Sequence, residues 1–274
     1  MRLHERCWRR PPPPGGGAGV GAGVALALVH GFGEHGGRYG GLVDYFVARG
    51  YAVHALDLRG HGRSPGARGH IDAWRQYRED LAAFLAHVAE ADPGARRFLY
   101  GHSLGGAIVL EYGLHQPGPV AGVIASAPPL IPLGVRSPVI EAAARVLSRL
   151  WPSFSVRIPL ETAALSRRTD DAEASVRDPL THGRLSARAT TETLRALAWT
   201  RAHASEWRLP LLVLQGDADR IAAPEGSVAF VAAARAGGAP DVELRLYVGG
   251  YHEPHNDLEA GEVLADVGAW LARH

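Results

Sequence analysis

The pentapeptide Gly101-His102-Ser103-Leu104-Gly105 has the pattern G-x-S-x-G and stands between a predicted strand and a predicted helix. In that context the chain makes a sharp turn, the nucleophile elbow, which exposes the serine hydroxyl at the N-terminus of the helix. Helix N–H groups favour developing negative charge there. Glycines are needed at 101 and 105 because a side chain would collide with neighbouring backbone. The pattern predicts Ser103 as a nucleophile.

A serine hydroxyl needs a base to become a good nucleophile, and one histidine and two aspartates stand at suitable positions. His252 follows the last predicted strand, while Asp217 and Asp219 follow the strand before it. The carboxyl ends of parallel strands meet at one edge of a sheet, so these side chains are expected near the serine. We predict His252 as the base. We predict Asp219 as its acidic partner, because Gly216-x-x-Asp219 leaves a turn's length to reach the imidazole; Asp217 would then be a turn or capping residue.

Acyl transfer through a serine also requires hydrogen-bond donors for the oxyanion of the intermediate. One donor is expected to be the backbone N–H of Leu104, directly after the nucleophile. The other should come from the loop after the apolar run 24–29, where residues 30–33 read HGFG. We assign it to the backbone N–H of Phe32.

Two other classes of function remain open for the same residues. The fold could be catalytically silent and act as a small-molecule receptor or scaffold, with Ser103 in an ordinary glycine-rich turn. Alternatively, His252-Glu253-Pro254-His255 could belong to a metal-dependent hydrolase. A zinc-binding helix places its two histidines four residues apart, whereas these are three apart with a proline between them. We therefore predict no metal site.

The elements that must position these residues alternate between strands and helices. Apolar runs predict strands at 24–29, 51–56, 97–100, 120–125, 211–214 and 242–248. Helical spacing of apolar residues predicts helices at 39–49, 72–90, 104–115, 224–235 and 258–272. This alternation predicts an α/β fold with a mostly parallel sheet that is covered by helices on both faces.

The alternation stops between about residues 128 and 207, where helical patterns occur without a convincing strand. We predict a core of residues 1–127 and 207–274 with a helical cap insertion at 128–206. The cap is rich in apolar residues, among them Val146, Leu150 and Trp151. A subset could line a pocket, and the same surface could rest on micelles or membranes. Residues 11–23 are rich in proline and glycine and are expected to form a linker between two strands.

Composition excludes several classes of protein. The formal net charge is +1, which gives no reason to expect a nucleic-acid partner. Every basic residue is arginine, so lysine-dependent cofactor chemistry is excluded, and we expect no cofactor. Cys7 is the only cysteine, which excludes an internal disulfide and a cysteine-based zinc site. With no secretory signal and no run of 18 apolar residues expected, we predict a cytoplasmic protein.

Taken together, the motifs resemble those of the monoacylglycerol lipase and lysophospholipase group of α/β-hydrolases, also described as serine aminopeptidase-like hydrolases. The resemblance extends from about residue 24 to residue 271. It rests on residues 30–35 (HGFGEH), 38–39 (RY), 57–64 (DLRGHGRS), 68–70 (RGH), 101–106 (GHSLGG), 165–167 (LSR), 178–180 (DPL), 214–220 (LQGDADR) and 251–253 (YHE).

The resemblance implies the α/β-hydrolase fold, with Ser103, Asp219 and His252 as a catalytic triad. It also implies that Phe32 and Leu104 donate to the oxyanion and that the cap covers an acyl pocket. Leu104 stands where many members carry methionine, a change that conserves volume. The implied activity is hydrolysis of carboxylic esters, with monoacylglycerols or similar single-chain lipid esters as substrates. A general carboxylesterase or a lysophospholipase is the alternative within the group.

Overall fold

The computed structural model describes residues 1–10, 21–115, 118–133, 138–159, 162–168 and 177–274. Residues 11–20 of the predicted linker therefore lie outside the described residues, as do parts of the predicted cap. Nine strands occur in the described ranges: β1 (Glu5–Trp8), β2 (Val24–Val29), β3 (Ala52–Leu56), β4 (Arg96–His102), β5 (Gly122–Ser126), β6 (Ser155–Arg157), β7 (Arg184–Ser186), β8 (Leu211–Gly216) and β9 (Val242–Tyr247).

Seven of the described strands form one sheet in the order β1-β3-β2-β4-β5-β8-β9. Strand β1 pairs with β3 in the antiparallel sense, and every other neighbouring pair in this sheet is parallel. Central strand β2 is buried along its whole length. Its odd-numbered residues belong to one apolar cluster and its even-numbered residues to another, because successive side chains of a strand point to opposite faces.

The helices cover both faces of this sheet. Helices α1 (Gly40–Val47) and α7 (Ala260–Arg273) pack on one face, and α2 (Arg75–Ala91), α3 (Leu104–Leu114) and α6 (Pro224–Ala236) pack on the other. The predicted mostly parallel α/β architecture is therefore confirmed, and its parallel strands end at the edge where ligand sites form.

The segment 128–206 contains helices α4 (Pro138–Leu150) and α5 (Ala187–Ala202), and also strands β6 and β7. The expectation that this segment holds no strand was wrong. Each of these strands has only three residues, too few to produce a recognisable alternation, and they pair antiparallel although they are far apart in the chain. Helix α5 places Ala196 and Leu197 in the core cluster beside α2 and α3. The division into core and cap stays a prediction.

Within the described ranges, the helices are too short or too polar to serve as a membrane-spanning segment.

Candidate active site

Ser103 lies at the turn between β4 and α3, with φ 51° and ψ −117°. This left-handed conformation is uncommon for a residue with a side chain. The turn leaves no room around it: a Cβ on Gly105 would lie 2.0 Å from the carbonyl oxygen of Val29, and one on Gly101 would lie 2.3 Å from that of Gly105. Both glycines therefore allow the strand and the helix to approach closely enough to expose the serine.

His252 and Asp219 form a hydrogen-bonded chain with this serine. Nε2 of His252 lies 2.8 Å from the Ser103 hydroxyl oxygen, and Nδ1 lies 2.8 Å from Oδ2 of Asp219. The three residues follow β4, β8 and β9, so the carboxyl ends of three sheet strands bring them together. Asp219 and His252 are 4 % and 2 % exposed. The imidazole is thus held between a carboxylate and a hydroxyl, away from solvent.

The two aspartates after β8 have different surroundings. Oδ1 of Asp219 accepts the backbone N–H groups of Ile221 at 2.8 Å and Ala222 at 3.0 Å, which aims its other oxygen at the imidazole. Oδ1 of Asp217 instead accepts the backbone N–H of Gly249 at 2.6 Å. Asp217 therefore joins two loops, and within the described structure the carboxylate bonded to His252 is that of Asp219.

Gln215, which was not identified from the sequence, holds the carboxylate of Asp219 in place through a hydrogen bond. Its amide nitrogen donates to Oδ2 of Asp219 at 2.9 Å, and its amide oxygen accepts the hydroxyl of Ser227 at 2.9 Å. Gln215 is completely buried. The signal in the sequence was a polar residue at the end of an otherwise apolar strand.

The structure places both predicted oxyanion donors near the serine. Phe32 lines a cavity of about 100 Å³ together with Ser103 and His252. Leu104 does not line it, but its N–H opens helix α3 directly after the serine. Among the described residues, neither the N–H of Phe32 nor that of Leu104 has a protein acceptor. Both donors are therefore free for an oxygen that carries negative charge.

A buried ionic group lines the same cavity and was also missed as a unit. Arg38 donates to Oε2 of Glu34 at 2.6 Å and to Oε1 of Glu253 at 3.2 Å. Oε1 of Glu34 accepts the N–H of Gly31 and the hydroxyl of Tyr39. Burial by itself would raise the pKa of Glu34, but the charge of Arg38, together with the neighbouring imidazoles and the hydrogen bond from Tyr39, outweighs burial and holds that pKa well below its usual range. The carboxylate therefore stays ionised inside the cavity wall.

Two further histidines lie close to His252. The ring of His102 lies 5.1 Å from that of His252 and 4.8 Å from that of His255, centre to centre. Burial, and then the neighbouring imidazoles, lowers the pKa of His102, and burial lowers that of His255. His255 stacks on Tyr39. In the parts of the chain that the structure describes, no group of three or more His, Cys, Asp or Glu side chains could hold a metal ion.

The loop that carries His252 is tied to the predicted cap. The N–H of Glu253 donates to the carbonyl of Leu165 at 2.8 Å. Asp257 accepts the N–H of Tyr251 at 2.8 Å and that of Arg167 at 2.9 Å. Burial by itself would raise the pKa of Asp257, but these hydrogen bonds outweigh it and lower that pKa. These contacts from Leu165 and Arg167 therefore help to fix the loop that carries His252.

Comparison with known proteins identifies the family of this fold and site. Residues 22–259 match the family model described as serine aminopeptidase, S33. The chain belongs to this family of α/β-hydrolases.

Individual relatives agree with this assignment. The chain is 36% identical to the monoacylglycerol lipase of Mycolicibacterium smegmatis over 91% of its own length and 88% of that protein. It is 29% identical to the human monoglyceride lipase, over 89% of its length and 80% of the relative. A crystal structure of the Paleococcus ferrophilus monoacylglycerol lipase superimposes with a TM-score of 0.87, 32% identity and full coverage of both chains. These findings confirm the predicted α/β-hydrolase fold and the predicted class of enzyme, a carboxylic ester hydrolase.

Proposed function

We propose that this protein hydrolyses monoacylglycerols or similar single-chain lipid esters, with Ser103, His252 and Asp219 as its catalytic triad. The observation that carries the proposal is the hydrogen-bonded chain from Ser103 through both ring nitrogens of His252 to Asp219. The substrate class is supported by the two monoacylglycerol lipases from Mycolicibacterium smegmatis and Paleococcus ferrophilus, which match this chain over most or all of its length.

The reaction begins with attack of the Ser103 oxygen on the ester carbonyl while Nε2 of His252 takes the hydroxyl proton. Asp219 keeps the imidazole oriented and stabilises its positive charge. The N–H groups of Phe32 and Leu104 hold the oxyanion. The intermediate collapses as His252 gives the proton to the leaving alcohol. Water then attacks the acyl-enzyme, His252 takes its proton and returns it to the Ser103 oxygen, and the fatty acid is released.

The cavity wall favours a leaving group that carries hydroxyls. Glu34, Arg38 and Glu253 all line the cavity that contains Ser103. Their ionised groups offer acceptors and donors to a polyol such as glycerol, whereas an apolar alcohol would leave them without new partners. This wall supports a monoacylglycerol over a simple alkyl ester, which a general carboxylesterase would accept equally well.

The lipid partner is proposed to reach the enzyme from an aggregate, a micelle or a membrane. The cap exposes large apolar side chains to solvent: Leu150 is 80 %, Trp151 59 % and Val146 56 % exposed. Contact of this surface with lipid would bring the cap and its substrate together.

Hydrolysis rates with monoacylglycerols, lysophospholipids and short p-nitrophenyl esters of varied chain length test the substrate. We expect kcat/KM to be highest for monoacylglycerols. A higher value for lysophospholipids, or equal values for all esters, would replace the proposal with the lysophospholipase or the general carboxylesterase.

Ser103→Ala tests the mechanism, with the exposed Ser205→Ala as its control. We expect Ser103→Ala to lose activity by a factor of about 10⁶ and to resist labelling by a fluorophosphonate, which reacts only with an activated serine. Ser205→Ala should retain both properties. Wild-type protein that neither hydrolyses esters nor takes the label would indicate the silent receptor or scaffold.

A further inference from the structure

A second cavity lies in the cap, away from Ser103, and its wall is strongly basic. It has a volume of about 200 Å³ and lies between α4 and α5. Four arginines and two hydroxyl side chains line it: Arg145, Ser148, Arg149, Arg188, Thr191 and Arg195.

Two carboxylates only partly balance these charges. Arg145 pairs with Glu141 at 3.1 Å and Arg195 pairs with Glu192 at 2.9 Å, and both guanidinium groups remain largely exposed. Exposed pairs of this kind are weak and leave the remaining guanidinium donors available.

The other two arginines have no carboxylate partner in the described structure. Arg188 donates through Nε and an Nη to the carbonyl oxygen of Ser148, which is neutral, and this contact holds the guanidinium at the cavity. Arg149 forms no ion pair within the described residues. Ser148 and Thr191 are buried and hydrogen-bonded to each other at 2.9 Å, so the helices are joined at the cavity floor. The cavity is a fixed site with an excess of positive charge.

Exposed apolar side chains border the basic wall. On α4, residues four apart lie on one stripe, so Arg145 and Arg149 form a stripe next to that of Val146 and Leu150. Trp151 directly follows the helix and packs against Phe154. The arginines, which can donate hydrogen bonds to phosphate, therefore lie beside apolar side chains that suit the edge of a hydrocarbon layer.

We propose that the arginine cavity, lined by the six residues named above, binds the phosphate group of an anionic phospholipid at a bilayer surface. Planar guanidinium groups bind phosphate oxygens through paired hydrogen bonds. The excess positive charge matches a negatively charged leaflet, and Val146, Leu150 and Trp151 enter the interface beside the headgroup. The cavity thus makes the protein bind preferentially to negatively charged lipid surfaces. This binding is independent of the reaction at Ser103.

Flotation with vesicles of ether-linked lipids tests this site, because ether lipids contain no ester to hydrolyse. One vesicle is phosphatidylcholine alone, and the other contains about 30 mol% phosphatidylglycerol, enough to give a clear negative surface potential. We expect the wild-type protein to bind the anionic vesicles about tenfold more tightly, and about 0.5 M salt should abolish most of the difference. Equal binding to both vesicles, or binding to neither, would overturn the proposal.

The double variant Arg149→Gln/Arg195→Gln removes two charges from the cavity, and Arg75→Gln/Arg208→Gln removes two exposed charges elsewhere. We expect the first to lose about tenfold in affinity for anionic vesicles and the second to bind as the wild type does. Equal losses in both would mean that only net charge matters. Arg149→Gln alone is a milder second variant. Hydrolysis of a soluble short-chain ester, which should not change, shows that each variant is folded.

Inorganic phosphate distinguishes a membrane site from a site for a soluble anion. At about 10 mM it should compete only weakly, because a free phosphate lacks the apolar contacts and the other charges of the bilayer. Full competition by phosphate, together with unchanged vesicle binding by Leu150→Ser/Trp151→Ser, would assign the cavity to a soluble anion instead. None of these outcomes bears on ester hydrolysis, which is measured with the soluble substrate.

Discussion

Asp219 has every lone pair of its carboxylate directed at a donor. Its Oδ1 accepts two backbone N–H groups, while its Oδ2 accepts from His252 and from Gln215. An amide at this position would direct N–H groups at some of these donors, so it could not hold the imidazole in the same tautomer. This is a property of single atoms, and it makes the choice between Asp219 and Asp217 testable.

Asp219→Asn is expected to lower kcat by a factor of about 10³ to 10⁴, because the imidazole loses its correct tautomer and its stabilising charge. Asp217→Asn, which changes a loop contact, should lower kcat less than about threefold. Steady-state hydrolysis by both variants measures this. The opposite ranking would assign the acidic role to Asp217.

Gln215→Leu is expected to lower kcat by roughly ten- to a hundredfold with little change in KM, since it removes a hydrogen bond to a buried carboxylate. Ser227→Ala, which removes only the contact to the Gln215 amide oxygen, should have a smaller effect. Comparing kcat with KM distinguishes positioning of Asp219 from a general loss of stability. A fall in melting temperature with kcat unchanged would show that Gln215 is purely structural.

At the scale of elements, the turn from β4 into α3 packs so closely against neighbouring backbone that a residue with a Cβ does not fit at Gly105. Gly105 is the second residue of α3, and Gly261 is the second residue of α7. Their helical positions are therefore equivalent, but a Cβ on Gly105 meets backbone at 2.0 Å whereas one on Gly261 meets nothing within 4 Å. Substituting these two glycines in turn therefore distinguishes the effect of crowding by neighbouring backbone from the effect of helix propensity.

We expect Gly105→Ala to lower the free energy of unfolding by at least about 2 kcal/mol, because strand or helix must shift to admit the methyl group. Gly261→Ala should be neutral or stabilise by up to about 1 kcal/mol. Chemical denaturation of both variants measures the difference. If Gly105→Ala left stability and activity intact, the turn would be less tightly packed than the structure shows.

At the scale of the whole molecule, His54 on β3 joins the N-terminal strand β1 and the end of a helix to its own strand. Its Nδ1 lies 2.6 Å from Glu5 of β1, and its Nε2 lies 2.6 Å from Asp92, which follows α2. A neutral imidazole has only one N–H, so both contacts are hydrogen bonds only in the charged form. Burial opposes this charge, but the hydrogen bonds and charges of Glu5 and Asp92 outweigh it and raise the pKa of His54.

Because the pKa of His54 is raised on folding, its contribution to stability is complete below about pH 6.5 and is lost as the pH rises through the folded-state pKa. The difference in unfolding free energy between wild type and His54→Gln should therefore narrow as the pH rises above about 6.5. Denaturation across that range measures it. A constant difference for His54→Gln would contradict the charged bridge.

The sequence by itself determined the sheet, the elbow and the order of the candidate triad. These features rest on local patterns: buried strands read as apolar runs, amphipathic helices repeat at 3.6 residues, and the glycines around Ser103 have a steric cause within one turn. The role of Ser103 at this turn could therefore be predicted from the residues next to it in the chain. The family comparison confirmed the fold that these patterns predict.

Only the tertiary structure decided which distant side chains meet. The contact of Gln215 with Asp219 depends on the path of a loop, and the group of Glu34, Arg38 and Glu253 joins segments more than 200 residues apart. The arginine cavity likewise exists only because α4 and α5 pack side by side. Hydrogen bonds and ion pairs depend on distances of a fraction of an ångström, and residue periodicity contains no information at that precision.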